Sequence, residues 1–211
     1  MIMKIVVLHN SIHVLRIAGA VFLLFIISAC NLFEPRDAED PGADDDRVPF
    51  RPANSAAGVF PNLQSGVENL NSGENYERSL ADHFVFLPLD QDAIDPSLPP
   101  GIFQDWTKDV EMNVLKLMIS ESSAASVTFN SSPQINENDF VQFRVTYVLN
   151  LTSAADASKT ELRGVAEFDV RRVGGIWLVE QWKDIEKVEE EGKTFTTWGY
   201  LKGSLRAQLG S

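Results

Sequence analysis

The chain has one cysteine, Cys30, so no disulfide can form within it. Beyond Cys30 it has one histidine, His83. Basic side chains are scarce: 18 Lys and Arg stand against 30 Asp and Glu, a formal charge of −12. A chain so acidic repels nucleic acid and anionic lipid surfaces, and no basic stripe offsets the balance. There is no Ser/His/Asp ordering, no glycine loop to cradle phosphate and no spaced cluster of metal ligands. Asp90, Asp92 and Asp95 hint at a cation loop but lack the glycine turn and closing glutamate that organise one. No cofactor is implied. Long apolar runs are few as well. Ile17 to Ala29 is 13 uncharged, mostly apolar residues, short of the roughly 20 that span a bilayer as a helix.

That run follows Lys4 and Arg16 and ends in Ile27-Ser28-Ala29-Cys30. A positive start, a short apolar core and a small-residue end make a secretory signal over residues 1–29. The last four residues resemble the lipobox of bacterial lipoproteins. The resemblance implies lipidation at Cys30, cleavage before it, and a membrane contact made by acyl chains, each buried methylene contributing about 0.8 kcal/mol. Asn31, rather than Asp, follows the cysteine, which by the same resemblance implies the outer membrane if the source is Gram-negative. Residues 30–53 then read as an acidic tether. Glu34, Asp37, Glu39, Asp40 and Asp44 to Asp46 sit among Pro35, Pro41, Gly42 and Pro49, too polar to offset the entropy of ordering. A single domain is expected over residues 54–211.

The first third of that domain is helical in pattern. Val59, Leu63, Val67 and Leu70 predict a helix within Ala56 to Asn71. Tyr76, Leu80 and Ala81 predict a second, ending near Asp82-His83, where His83 is either a helix-terminal residue or a proton shuttle. Pro88 to Gly101 holds four prolines and reads as a covering loop. Asp105 can cap an amphipathic helix from Trp106 to Ile119.

Strands follow. Val127 to Phe129 is a short one. Phe140 to Leu151 alternates, with Val141, Phe143, Val145, Tyr147 and Leu149 on one face. Leu162 to Val173 alternates again, Gly174-Gly175 turns the chain, and Ile176 to Ile185 returns. Phe195 to Leu205 reads as a last strand. A two-residue turn at Gly174-Gly175 puts Trp177 and Val179 on the buried face and Trp182 on the outer face beside Glu167. It also leaves Asp169 opposite Glu180, a like-charge pair. A three-residue loop would relieve that and bring Trp182 inside, but would set Glu180 against Phe168. Burying a carboxylate costs more, so the two-residue turn is expected.

Helices followed by an antiparallel meander make an α+β order. The helical start runs into Ser79-Leu80-Ala81-Asp82-His83-Phe84-Val85-Phe86, and Gly174-Gly175-Ile176-Trp177-Leu178-Val179-Glu180-Gln181-Trp182-Lys183-Asp184 comes late. Together these resemble the nuclear transport factor 2-like superfamily, which includes SnoaL-like cyclases and ketosteroid isomerases. The resemblance implies a strongly curved antiparallel sheet wrapped around N-terminal helices, a cystatin-like cone with a pocket at its open end. Isomerase-like members use an acidic base with a tyrosine or acid donor, but no residue here matches a family catalytic motif. His83, Tyr147 and Gln181 form the expected ligand-facing set. A non-enzymatic envelope lipoprotein binding a small apolar ligand or a protein partner is the leading expectation. A SnoaL-like enzyme with a hydrophobic substrate and a structural accessory of an envelope complex are the alternatives.

Overall fold

The computed structural model describes residues 48–70 and 73–210. Cys30, the signal before it and the acidic stretch to residue 47 lie outside the described residues. Five strands build the main sheet in the order β1-β5-β4-β3-β2. They are β1 (Leu80–Leu87), β2 (Ser122–Glu137), β3 (Phe140–Ser153), β4 (Lys159–Val173) and β5 (Ile176–Lys187). β2 to β5 form an antiparallel meander. β1 joins β5 parallel, so the sheet is mixed at that edge, and its edge strands do not pair with each other. A two-residue ladder, β6 (Glu189–Glu190) with β7 (Lys193–Thr194), follows.

Strand alternation decides which face is covered. Val141, Phe143, Val145, Tyr147 and Leu149 of β3 are buried, as are Leu162, Ala166, Phe168 and Val170 of β4, while Arg144 and Thr146 face solvent. Three helices cover the apolar face: α1 (Val59–Glu68), α4 (Lys108–Ser120) and α5 (Trp198–Leu209). Two single-turn helices, α2 (Glu74–Glu77) and α3 (Asp90–Ala93), fill the connections.

The hairpin holds both a confirmation and a correction. Gly174 and Gly175 take φ of 59° and 90°, as a primed two-residue turn requires. Arg172 pairs with Trp177 and Val170 with Val179. The register then slips by one, so Phe168 faces Trp182 and Asp169 faces Gln181. Glu180 is the extra residue of a β-bulge. It escapes Asp169 and instead meets Arg171 Nε at 2.8 Å and His83 Nε2 at 2.9 Å. The bulge thus removes the like-charge pair and turns Trp182 inward, fully buried, while Trp177 is only half-buried. The expected outer position of Trp182 is overturned for that reason. A second slip, between Val165 and Ala166, sets Asp184 opposite Ala166 on the buried face.

Other expectations shift too. The second helix stops at Glu77, and Leu80 already belongs to β1, because Phe84 and Phe86 are buried by laying this segment along β5. His83 therefore sits in a strand and not at a helix end. Thr107, not Asp105, caps α4, its hydroxyl accepting from the Val110 amide. Trp106 precedes that helix and is buried. β2 runs far beyond Val127–Phe129 because it pairs along the whole of β3. As an edge strand largely open to solvent, it carries little apolar pattern. Residues 48–53, placed by composition in the tether, lie on the domain. The Arg51 carbonyl accepts from Asn62 at 2.8 Å, Arg78 sits 4.2 Å over the Phe50 ring, and the Ala53 carbonyl accepts from the Trp177 amide at 3.1 Å.

The largest correction is α5, which stands where Phe195 to Leu205 read as a strand. Phe, Thr, Trp and Tyr give this stretch β-like content, but packing selects a helix. Thr197 caps it, accepting from the Tyr200 amide at 2.9 Å. Trp198, Lys202 and Leu205 recur at four and three residues and are all buried. Gly199 lets the helix close on the sheet: a Cβ there would lie 2.5 Å from Asp184 Oδ2 and 3.1 Å from the Phe86 ring.

Candidate functional site: the polar interior

Where the resemblance implies a pocket, aromatic side chains pack between the sheet and the helices. Trp182 and Trp198 cross edge to face with centroids 4.8 Å apart, and Tyr147 and Phe129 pack against both. Glu111, Lys202, Asp184, Tyr76 and Tyr147 are ionisable side chains that share this interior.

The first group centres on Glu111 of α4. Its Oε1 accepts from the Tyr76 hydroxyl at 2.5 Å and its Oε2 from Trp106 Nε1 at 2.8 Å. Lys202 Nζ of α5 lies 2.7 Å from Oε1, off the aligned hydrogen-bond direction. The ammonium also sits 3.6 Å from the Trp182 ring centre and 4.1 Å from that of Phe86. Ring faces are electron-rich, so these contacts replace part of the hydration the cation has lost. Burial pushes the Lys202 ammonium below its usual range, and Glu111 opposes that. Tyr76 is pushed well above its usual range, first by burial and then by Glu111, so it stays a donor.

The second group centres on Asp184. Trp182 Nε1 donates to its Oδ1 at 2.8 Å, and the Gly199 amide donates to Oδ2 at 3.0 Å. The Tyr147 hydroxyl donates to Oδ2 at 3.3 Å and accepts from the Trp198 amide at 3.0 Å. Asp184 and Tyr147 thus receive two of the free amides that begin α5, and they meet the positive end of its dipole. Burial pushes the Asp184 carboxyl up to about 6 against the opposing pull of Lys202. Tyr147 is pushed well above its usual range, again by burial first.

A third contact ties the covering loop down. Asp92 is fully buried. It accepts from the Thr197 hydroxyl and lies 2.9 Å from Lys187 Nζ. One member of the suspected aspartate triplet is therefore spent on holding α3 against α5. Among the described residues, no group of three or more His, Cys, Asp or Glu could hold a metal ion.

The expected ligand set is not brought together. Tyr147 is inside, with its hydroxyl spent on Asp184 and Trp198. His83 is exposed on β1 against Glu180. Gln181 is half-buried on the outer face, its amide 3.4 Å from Asp169. The bulge at Glu180 causes this last displacement, by turning Gln181 outward as it turns Trp182 in. Sequence reasoning missed Glu111 and Lys202. Each sits on an apolar helical stripe: Glu111 with Val114, Leu115 and Met118, and Lys202 with Trp198 and Leu205. A charge in such a stripe was the available signal.

Surface grooves are present. One of about 620 Å³ opens beside Met118, Leu151, Leu201 and Leu205. One of about 430 Å³ lies along β1 at His83, Phe103 and Trp106. One of about 560 Å³ lies at the hairpin end, beside Val141, Phe143, Arg172 and Trp177. Glu111, Asp184 and Lys202 line none of the three.

Neither a protein-family model nor a curated protein matches the sequence. Solved structures do match the fold. A protein named provisionally as a scytalone dehydratase, from Novosphingobium aromaticivorans, superposes with a TM-score of 0.50 at 10% identity, over 67% of this chain and 89% of that one. The Kfla4162 protein from Kribbella flavida superposes at 0.50 with 12% identity, over 65% of this chain and 91% of that one. The chain has a SnoaL-like fold. At these identities the likeness carries the architecture and no activity. In this fold α5 packs on the apolar face of the sheet, its first amides bonded to Tyr147 and Asp184.

Proposed function

We propose that this chain is a membrane-anchored envelope lipoprotein, held by acyl chains on Cys30, whose SnoaL-like domain binds a small ligand or a protein partner without transforming it. One observation supports the binding role most. The groups of the interior that could act as acid or base, Asp184, Glu111, Tyr76 and Tyr147, are each at most about 2% exposed and bonded to one another or to α5. Chemistry there would require α5 to leave. The anchor rests on the lipobox resemblance. A second reading, an isomerase-like enzyme, draws on the Asp184–Tyr147 pair, an acid beside a tyrosine. The protein is incubated with an envelope extract, and the small molecules are followed by mass spectrometry. Under the binding reading, a compound leaves the extract and is recovered unchanged when the protein is denatured. A compound consumed with a product formed, and spared by Asp184→Asn, supports the enzyme instead. Acyl-chain labelling that survives Cys30→Ala overturns the anchor.

A further inference from the structure

Arg172 and Trp177 face each other across the β4–β5 hairpin, just past its last core pair, Val170 with Val179. Directly paired residues share a face, so both extend the apolar side of the sheet beyond the core. There they line the groove of about 560 Å³, whose floor includes the buried side chains Val141 and Phe143. Trp177 packs against the edge of the core, and neither side chain has a polar or aromatic partner elsewhere among the described residues. Arg78, Arg144, Arg163 and Arg171 each pair with a glutamate, and Arg206 is bound to the Ile102 and Gln104 carbonyls. Arg172 is exposed, and among the described residues its side chain makes no hydrogen bond, ion pair or ring contact. Trp106, Trp182 and Trp198 each sit in the aromatic cluster. Trp177 is half-buried and touches no other aromatic ring among the described residues.

We infer that this groove binds a small organic acid with a flat apolar body. The carboxylate meets Arg172, and the body lies along Trp177 over Val141 and Phe143. A guanidinium presents paired N–H donors that match a carboxylate, and it is weakly hydrated, so it yields its water readily. An indole beside it offers a flat apolar wall. The volume falls in the range of small-molecule sites. Charge decides between occupants: in a chain of net charge −12, an unpaired arginine in an apolar groove selects an anion over a cation or a neutral body. This inference rests on the reading that the domain binds without transforming.

The test uses the full chain in detergent, referenced to protein-free detergent, with three probes: 2-naphthoate, 2-naphthylmethanol and 2-naphthylmethylammonium. Saturable 2-naphthoate binding is expected to quench a part of the tryptophan fluorescence that is absent in Trp177→Phe. Arg172→Gln should weaken 2-naphthoate at least tenfold and leave 2-naphthylmethanol unchanged. No saturable 2-naphthoate binding, equal binding of the ammonium probe, or an unaffected Arg172→Gln variant each overturns the assignment. Should 2-naphthoate fail while the extract still yields a compound bound and released unchanged, the groove is wrong and the binding reading stands. Should 2-naphthoate bind as expected while an extract compound is converted, the binding reading is wrong and the groove stands.

Discussion

Lys202 Nζ lies 2.7 Å from Glu111 Oε1, with the rings of Trp182, Phe86 and Trp198 around the ammonium. The pair joins α5 to α4 through the middle of the domain. Its desolvation offsets much of its attraction, but losing one member strands the other charge. Lys202→Met should therefore cost about 3–5 kcal/mol. The Lys202→Met/Glu111→Gln double variant should cost clearly less than the two single losses added. Denaturant melts of all three decide it. A single loss below about 1 kcal/mol would mean that the pair is dispensable.

The bulge at Glu180 reverses the ranking that the hairpin alone would give. Trp182 meets Phe168 at 4.6 Å between ring centres and lies within reach of four further aromatic rings, with the Lys202 ammonium over its own ring. Trp182→Ala should cost about 3–5 kcal/mol, as for a buried large-to-small change, and Trp177→Ala clearly less. Equal losses in urea melts would place the bulge elsewhere.

Part of this was readable from residue order. The alternation of β3 and β4, the primed turn at Gly174-Gly175 and the α+β class follow from local pattern, because each depends on neighbours in sequence. The bulges do not. Glu180 leaves the ladder to meet Arg171 and His83, and His83 comes from a strand nearly a hundred residues earlier. That single slip moved Gln181 out of the expected site and Trp182 into the core. Helix α5 was lost for a related reason: its β-like composition is outweighed by contacts with Asp184, Tyr147 and Asp92 that no short window contains. The interior charges escaped notice because a lone Glu or Lys on an apolar stripe reads as an interruption until its partner is placed.

Acidity acts on Asp184. Its carboxyl is raised to about 6 in the fold, against 3.8 as its ordinary value. Between those pH values the folded chain holds a proton that the unfolded chain has released, so stability falls as pH rises through this window. The contribution is fully present below about pH 3.8 and lost above about pH 6, a swing on the order of 3 kcal/mol. The difference in stability between the wild type and Asp184→Asn should therefore change across this window. A constant difference from pH 4 to pH 7 would show that Asp184 titrates normally.

The central claim is that α5 stays seated on the apolar face of the sheet. The Trp198 amide donates to Tyr147 and the Gly199 amide to Asp184, both in the buried interior, so native-state hydrogen exchange at these two positions reports on the seat directly. If α5 is a fixed part of the core, both amides should exchange only through global unfolding, with the same denaturant dependence as Val145 and Phe168 in the middle of the sheet. Exchange of Trp198 and Gly199 through a local opening, faster than the sheet by a hundredfold or more and insensitive to denaturant, would mean that the helix lifts and exposes an acid–tyrosine pocket, and the binding account would be wrong.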